Sequence, residues 1–224
     1  MWGRLLRNPD FRSKINAIIR YAENTESEME FNWTSGPKLY FYKETIALRR
    51  LKPLDDLLSD SSDHFFQLMY ATLAAWGMDS RSARMKSFQD FKANIKANST
   101  LILNVSQAQL AELSEEDFWM ARKRSGEIYD NLDVMESYAK LVSASKTLHF
   151  MLPDLIMPMD VQNTLTYFYG NAGESKSRFL ELLECSYRVA RATNLEKFRN
   201  DHWNPSVPKI IDNIILKING LEAL

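Results

Sequence analysis

Cysteine is nearly absent: Cys185 is the only one in 224 residues. An intramolecular disulfide is therefore excluded, as are four-cysteine zinc and iron–sulfur sites. A reducing cytoplasm is the compartment such usage suggests. Glycine and proline are scarce, seven of each, which favours helices over a turn-rich β architecture. No stretch approaches the roughly 20 apolar residues of a membrane helix. The start, MWGRLLRNPDF, carries no long apolar run of the signal-peptide kind, so no membrane partner is expected. The formal net charge of −1 gives no global attraction to nucleic acid. Phosphate binding would have to come from a local basic face and would be salt-sensitive. The glycine-rich phosphate loops and the nucleophile elbow of hydrolases are missing. His64, His149 and His202 show none of the paired spacings of a metal site, so neither metal nor cofactor is expected.

What is present is apolar periodicity, with 45% hydrophobic and 25% charged residues, ordinary for a globular chain. Asp10 to Asn24 reads as a first helix, with Phe11, Ile15, Ile18 and Ile19 at helical spacing. EMEFNWT and KLYFYKET then alternate in the manner of strands around the turn signal Ser35-Gly36-Pro37, which predicts a β-hairpin over 26–45. From Asp60 onward the pattern is helical. SDHFFQLMYATLAAWGM is apolar almost all round and belongs in the core. Ser87 to Asn98 is amphipathic, and LILNV (101–105) fits strand or helix edge equally. Ser106 to Leu113, Glu115 to Ile128, Glu174 to Thr193 and Val207 to Ile218 read as further helices. The expectation is one mainly α domain over 1–224. Residues 1–58 give a helix and the small N-terminal β-hairpin, and 59–224 the helical core.

Lys140 to Tyr169, KLVSASKTLHFMLPDLIMPMDVQNTLTYFY, is the stretch on which chemistry can be argued. An apolar helix carrying Lys140, Lys146 and His149 stops at Pro153. A connector with Pro158 then leads to Asp160 at the mouth of an aromatic-rich helix. Together with DHFFQLMYATLAAWGMDSRSARM, this stretch resembles the helix-hairpin-helix DNA glycosylase superfamily of the endonuclease III type, over roughly Asp63 to Gly170, about half the chain. In that superfamily a lysine in the hairpin starts an apolar helix, and a connector of the form P-D-x-x-P-V-D delivers a catalytic aspartate into a DNA cleft. PDLIMPMDV is similar, with Asp160 at the aspartate position, and Lys140 lies thirteen residues before Pro153, close to where the lysine would fall. The superfamily's glycine-rich hairpin, whose amides hold a DNA phosphate, is DVMESYAK here, without glycine. The string SKTLHFMLPDLIMPMD also resembles one from prokaryotic proteins that suggests no activity.

The resemblance implies an orthogonal helical domain of the glycosylase type, DNA as partner and base excision as reaction. Base removal passes through an oxocarbenium-like sugar that a carboxylate stabilises. A lysine attacking the anomeric carbon must be partly neutral, which desolvation or a cationic neighbour achieves. Asp160 would be the stabiliser and Lys140 or Lys146 the nucleophile. Six residues apart, about 600° of helix rotation, the two lysines cannot both face the aspartate. The same Asp160 is also a good helix N-cap. Arg81, Arg84, Lys86 and Lys92 follow the glycosylase-like core helix, where DNA contact is implied. Each basic cluster is by itself an ordinary solvated face. Two other classes stay open, a non-catalytic helical module binding nucleic acid or protein, and a small-molecule enzyme built on the cleft.

Overall fold

The computed structural model describes residues 8–26, 36–79, 83–137 and 140–222. Eleven α-helices run through them in the order α1 (Pro9–Asn24), α2 (Pro37–Leu51), α3 (Leu54–Ser59), α4 (His64–Ala75), α5 (Phe88–Ala97), α6 (Ser99–Leu103), α7 (Glu115–Asn131), α8 (Lys140–Met151), α9 (Thr166–Tyr169), α10 (Lys176–Ala192) and α11 (Val207–Glu222). Among the described residues there is no β-strand. An isolated antiparallel bridge joins Met85 to Met135. No helix among these residues is long and apolar enough to cross a membrane.

The β-hairpin expected over 26–45 is corrected in its second half. EMEFNWT lies outside the described residues, but KLYFYKET is the first half of α2. Gly36 turns into the helix with φ 98°, a conformation costly for any residue with a Cβ. Pro37 follows at the helix start, where its missing N–H is no loss. Leu39, Tyr42, Thr45 and Ile46 are the buried positions, a three-and-four spacing. Over eight residues the apolar set of KLYFYKET satisfies both periods, and packing on α4, the closest-packed partner of α2, selects the helical one. There the Thr45 and Thr72 hydroxyls meet at 3.0 Å, each also 2.7 Å from a carbonyl of its own helix, so two hydroxyl protons serve three contacts.

Ser106 to Leu113 is likewise not a helix but a run of turns. Leu110 is its fully buried anchor, and the Leu110 amide donates to Asp154 O at 2.8 Å, leaving the helical ladder for a tertiary partner. LILNV resolves as the last residues of α6 and the turn after it. Elsewhere helix starts follow local chemistry. Asn8, Ser87, Ser114 and Ser175 cap α1, α5, α7 and α10 with their side-chain oxygens. One continuous apolar core takes residues from Phe11 in α1 to Ile218 in α11, with α8 at its centre: Leu141 through Ser145 and Thr147 through Met151 are all buried.

Candidate functional site

The connector after α8 is held rigidly. Arg50 makes a bidentate pair with Asp154, both contacts at 2.7 Å, and Arg49 Nε donates to Met151 O at 2.8 Å. Further on, the Met159 amide donates to Ser145 Oγ at 3.1 Å. His149 on α8, fully buried, donates from Nδ1 to Ile156 O at 2.8 Å, because a carbonyl can only accept. Its Nε2 is then the acceptor, and Tyr42 donates its hydroxyl proton there at 2.9 Å. Burial pushes the His149 pKa down to about 3, so the ring is neutral.

These anchors deliver Pro158, Met159 and Asp160 to one wall of a cleft of about 260 Å³. Trp76 closes the end of α4, its indole N–H donating to Lys38 O at 3.3 Å. Lys146 comes from α8. The remaining wall is one face of α11, where Lys209, Asp212, Asn213 and Leu216 follow at helical spacing, with Trp203 beside them. Asn213 Nδ2 ties that loop down, donating to Trp203 O at 2.8 Å and Asn204 Oδ1 at 2.6 Å.

Asp160 is an N-cap: Oδ1 accepts from the Asn163 amide at 2.6 Å and Oδ2 from Asn163 Nδ2 at 2.9 Å. The turn it caps, Val161–Leu165, is π-helical and leads into α9. Lys146 has no carboxylate within ion-pair distance among the described residues. Its Nζ lies 3.8 Å from Met78 Sδ and 5.7 Å from the centre of the Trp76 ring. Burial lowers the Lys146 pKa, opposed by Asp160 and Asp212 and assisted by the Lys209 cation. At the floor Lys209 and Asp212 form a buried pair at 2.5 Å, with the ammonium among the rings of Tyr42, Trp76 and Trp203 at 5.6–6.0 Å. Burial raises the Asp212 pKa against the pull of Lys209.

Of the residues singled out in the sequence, Asp160 and Lys146 meet in this cleft and Lys140 does not. Lys140 Nζ donates to Asp130 O at 2.9 Å and lies over the Tyr129 ring, as the six-residue offset requires. The basic segment is neutralised locally. Arg84 faces Glu136 at 3.7 Å, Lys86 pairs with Asp133, and Lys92 pairs with Asp63 at 2.7 Å, while Arg81 lies outside the described residues. The start of α8, where the superfamily would bring a phosphate, holds the chain's own Glu174 carboxylate. It accepts from the Leu141 and Val142 amides at 2.5 and 3.2 Å. Cys185 is buried and burial pushes its thiol pKa up, so it behaves as a core residue.

Lys209, Asp212 and Asn213 were not singled out by sequence reasoning. The signal was available in VPKIIDNIILKI: a helix apolar nearly all round that still carries a lysine and an aspartate three apart marks a buried polar site. Comparison of the chain with protein-family models, with characterised proteins and with solved structures gives no match.

Proposed function

We propose that the cleft performs amine–carbonyl chemistry of the base-excision type on DNA, with Lys146 as the nucleophile and Asp160 stabilising positive charge on the sugar. One observation carries this reading: Lys146 presents a desolvated amine, with no ion-pair partner among the described residues, in a cleft that also contains a carboxylate at a helix mouth. A neutral amine is what attack on the anomeric carbon of an abasic sugar requires. The resemblance of PDLIMPMDV to the glycosylase connector supplies the substrate class.

A second reading, a non-catalytic helical module, is favoured by the neutralised basic segment and by Glu174 at the start of α8. Both features oppose phosphate binding. Borohydride trapping on duplex oligonucleotides with an abasic site separates the two. The catalytic reading expects a covalent adduct that persists in Lys140→Ala and disappears in Lys146→Ala. No adduct, together with no salt-sensitive DNA binding, leaves the module.

A further inference from the structure

The cleft does not balance its own charge. Lys38, Lys146 and Lys209 line it against Asp160 and Asp212, three cations to two carboxylates. Lys209 and Asp212 are spent on each other at 2.5 Å, and Asp160 accepts from the backbone and side-chain amides of Asn163. Among the described residues neither Lys38 nor Lys146 has an ion-pair partner. The two stand in different settings. Lys146 lies inward, beside Met78 Sδ and the Trp76 ring. Lys38 is exposed, and its carbonyl accepts the Trp76 indole N–H at 3.3 Å, which fixes the start of α2 at the cleft rim. An exposed ammonium keeps its charge and can exchange its water for an anion. Lys146 is the wrong residue for that task, because an anion against its amine would favour the protonated form. Since Arg84, Lys86 and Lys92 are already paired, an anion contact has to come from the cleft itself.

We propose that the cleft takes a carbonyl compound carrying an anionic group away from the carbonyl, that Lys38 at the rim binds the anion, and that Lys146 receives the carbonyl. The inference rests on the amine–carbonyl reading of Lys146 and names the class of compound that reading acts on. At about 260 Å³ the cleft lies just under the roughly 300–1,000 Å³ of drug-sized ligand sites, so it admits one small molecule or one extruded sugar residue and not a paired duplex. Trp76 and Trp203 supply apolar walls for the uncharged body of such a ligand. A bound anion at Lys38 offsets the surplus positive charge without touching the Lys146 amine. The same chemistry has two sources, the phosphate flanking an abasic sugar in DNA and the phosphate ester of a free aldehyde.

The test labels wild type, Lys38→Gln and Lys38→Arg with two aldehydes of similar shape, para-formylphenyl phosphate and the uncharged para-methoxybenzaldehyde. The Lys146 amine adds to the carbonyl carbon and water leaves. The imine then takes hydride from cyanoborohydride and a proton from water, giving a secondary amine that peptide mass mapping locates. Comparing the ratio of the two labelling rates between proteins cancels the intrinsic reactivity of the aldehydes. A hydrogen bond to a charged group is worth about 10-fold. Lys38→Gln should therefore lower the phosphate-over-neutral ratio by about 10-fold and leave the neutral rate unchanged, while Lys38→Arg keeps the wild-type ratio. Phenyl phosphate, which has no aldehyde, should bind with the same Lys38 dependence in a tryptophan-fluorescence titration. An unchanged ratio with unchanged phenyl phosphate affinity overturns the inference and leaves the amine–carbonyl reading standing. Lys38-dependent phenyl phosphate binding without labelling of Lys146 by either aldehyde supports the anion site and overturns that reading. Trapping of an abasic duplex that weakens in Lys38→Gln supports the inference with DNA as the source of the anion. Labelling by the phosphorylated aldehyde but not by the duplex supports it with a free phosphate ester as the source, and overturns the DNA reading. Neither labelling nor phosphate binding overturns both.

Discussion

The buried neutral His149 makes the stability of this chain fall on mild acidification. The ring is fully buried, its two nitrogens are spent on Ile156 O and the Tyr42 hydroxyl, and burial is the leading cause of its lowered pKa. Between 6.5, its ordinary value, and about 3 in the fold, the unfolded chain binds a proton that the folded chain refuses. Stability from this group is therefore fully present above pH 6.5 and is lost as pH falls through that window. At 1.36 kcal/mol per pH unit the complete loss is about 5 kcal/mol, of which about 2 kcal/mol is gone by pH 5. Urea unfolding followed by tryptophan fluorescence, for wild type and His149→Gln at pH 7.5 and pH 5, isolates the term. Other titrating groups contribute to both curves and cancel in the difference. The stability advantage of wild type should shrink by about 2 kcal/mol over that interval. In the same samples the imidazole nitrogen resonances should show one neutral tautomer, protonated at Nδ1, still present at pH 5. Parallel stability curves, or a ring that titrates near 6.5, would refute the placement of His149 in a sealed core.

Two further expectations concern stability at the site. Glu174→Ala removes the acceptor of two amides at the start of α8 and should cost about 1 kcal/mol, as loss of a helix cap does, whereas Glu174→Gln should cost less; equal stability of all three in urea unfolding would show the cap to be idle. Lys146→Met keeps the length of the side chain and removes a desolvated amine, so it should raise stability by about 1 kcal/mol at neutral pH while abolishing trapping. Because the folded pKa of Lys146 is lowered, the wild type should close that gap as pH rises towards 10.5. A destabilised Lys146→Met would mean that the amine is a structural donor.

Much of the helical plan is legible in the chain. The spans of α1, α5, α7 and α10 follow from apolar spacing, whereas their caps at Asn8, Ser87, Ser114 and Ser175 are read from the structure, the first of them lying ahead of Asp10, the residue that the sequence offers as cap. KLYFYKET was not legible, since eight residues with apolar and polar positions interleaved fit a strand and a helix alike. Only the α4 surface against which Leu39, Tyr42 and Ile46 pack distinguishes them. Ser106 to Leu113 was misread for a related reason: local propensity is overridden when the Leu110 amide finds a better acceptor in the Asp154 carbonyl, forty-four residues away.

The site divides along the same line. The sequence by itself determined that Lys140 and Lys146 point to different faces, because helix rotation per residue is fixed. It also determined that Asp160 stands at a helix mouth after two prolines. Which lysine faces the cleft, and what completes it, depended on α11 docking from the far end of the chain. Docking brings Lys209 and Asp212 beside Lys146 and Asp160, and the burial it completes lowers the proton affinity of Lys146 and raises that of Asp212. Proton affinities in a cleft are properties of distance and desolvation, and neither exists until the helices have packed.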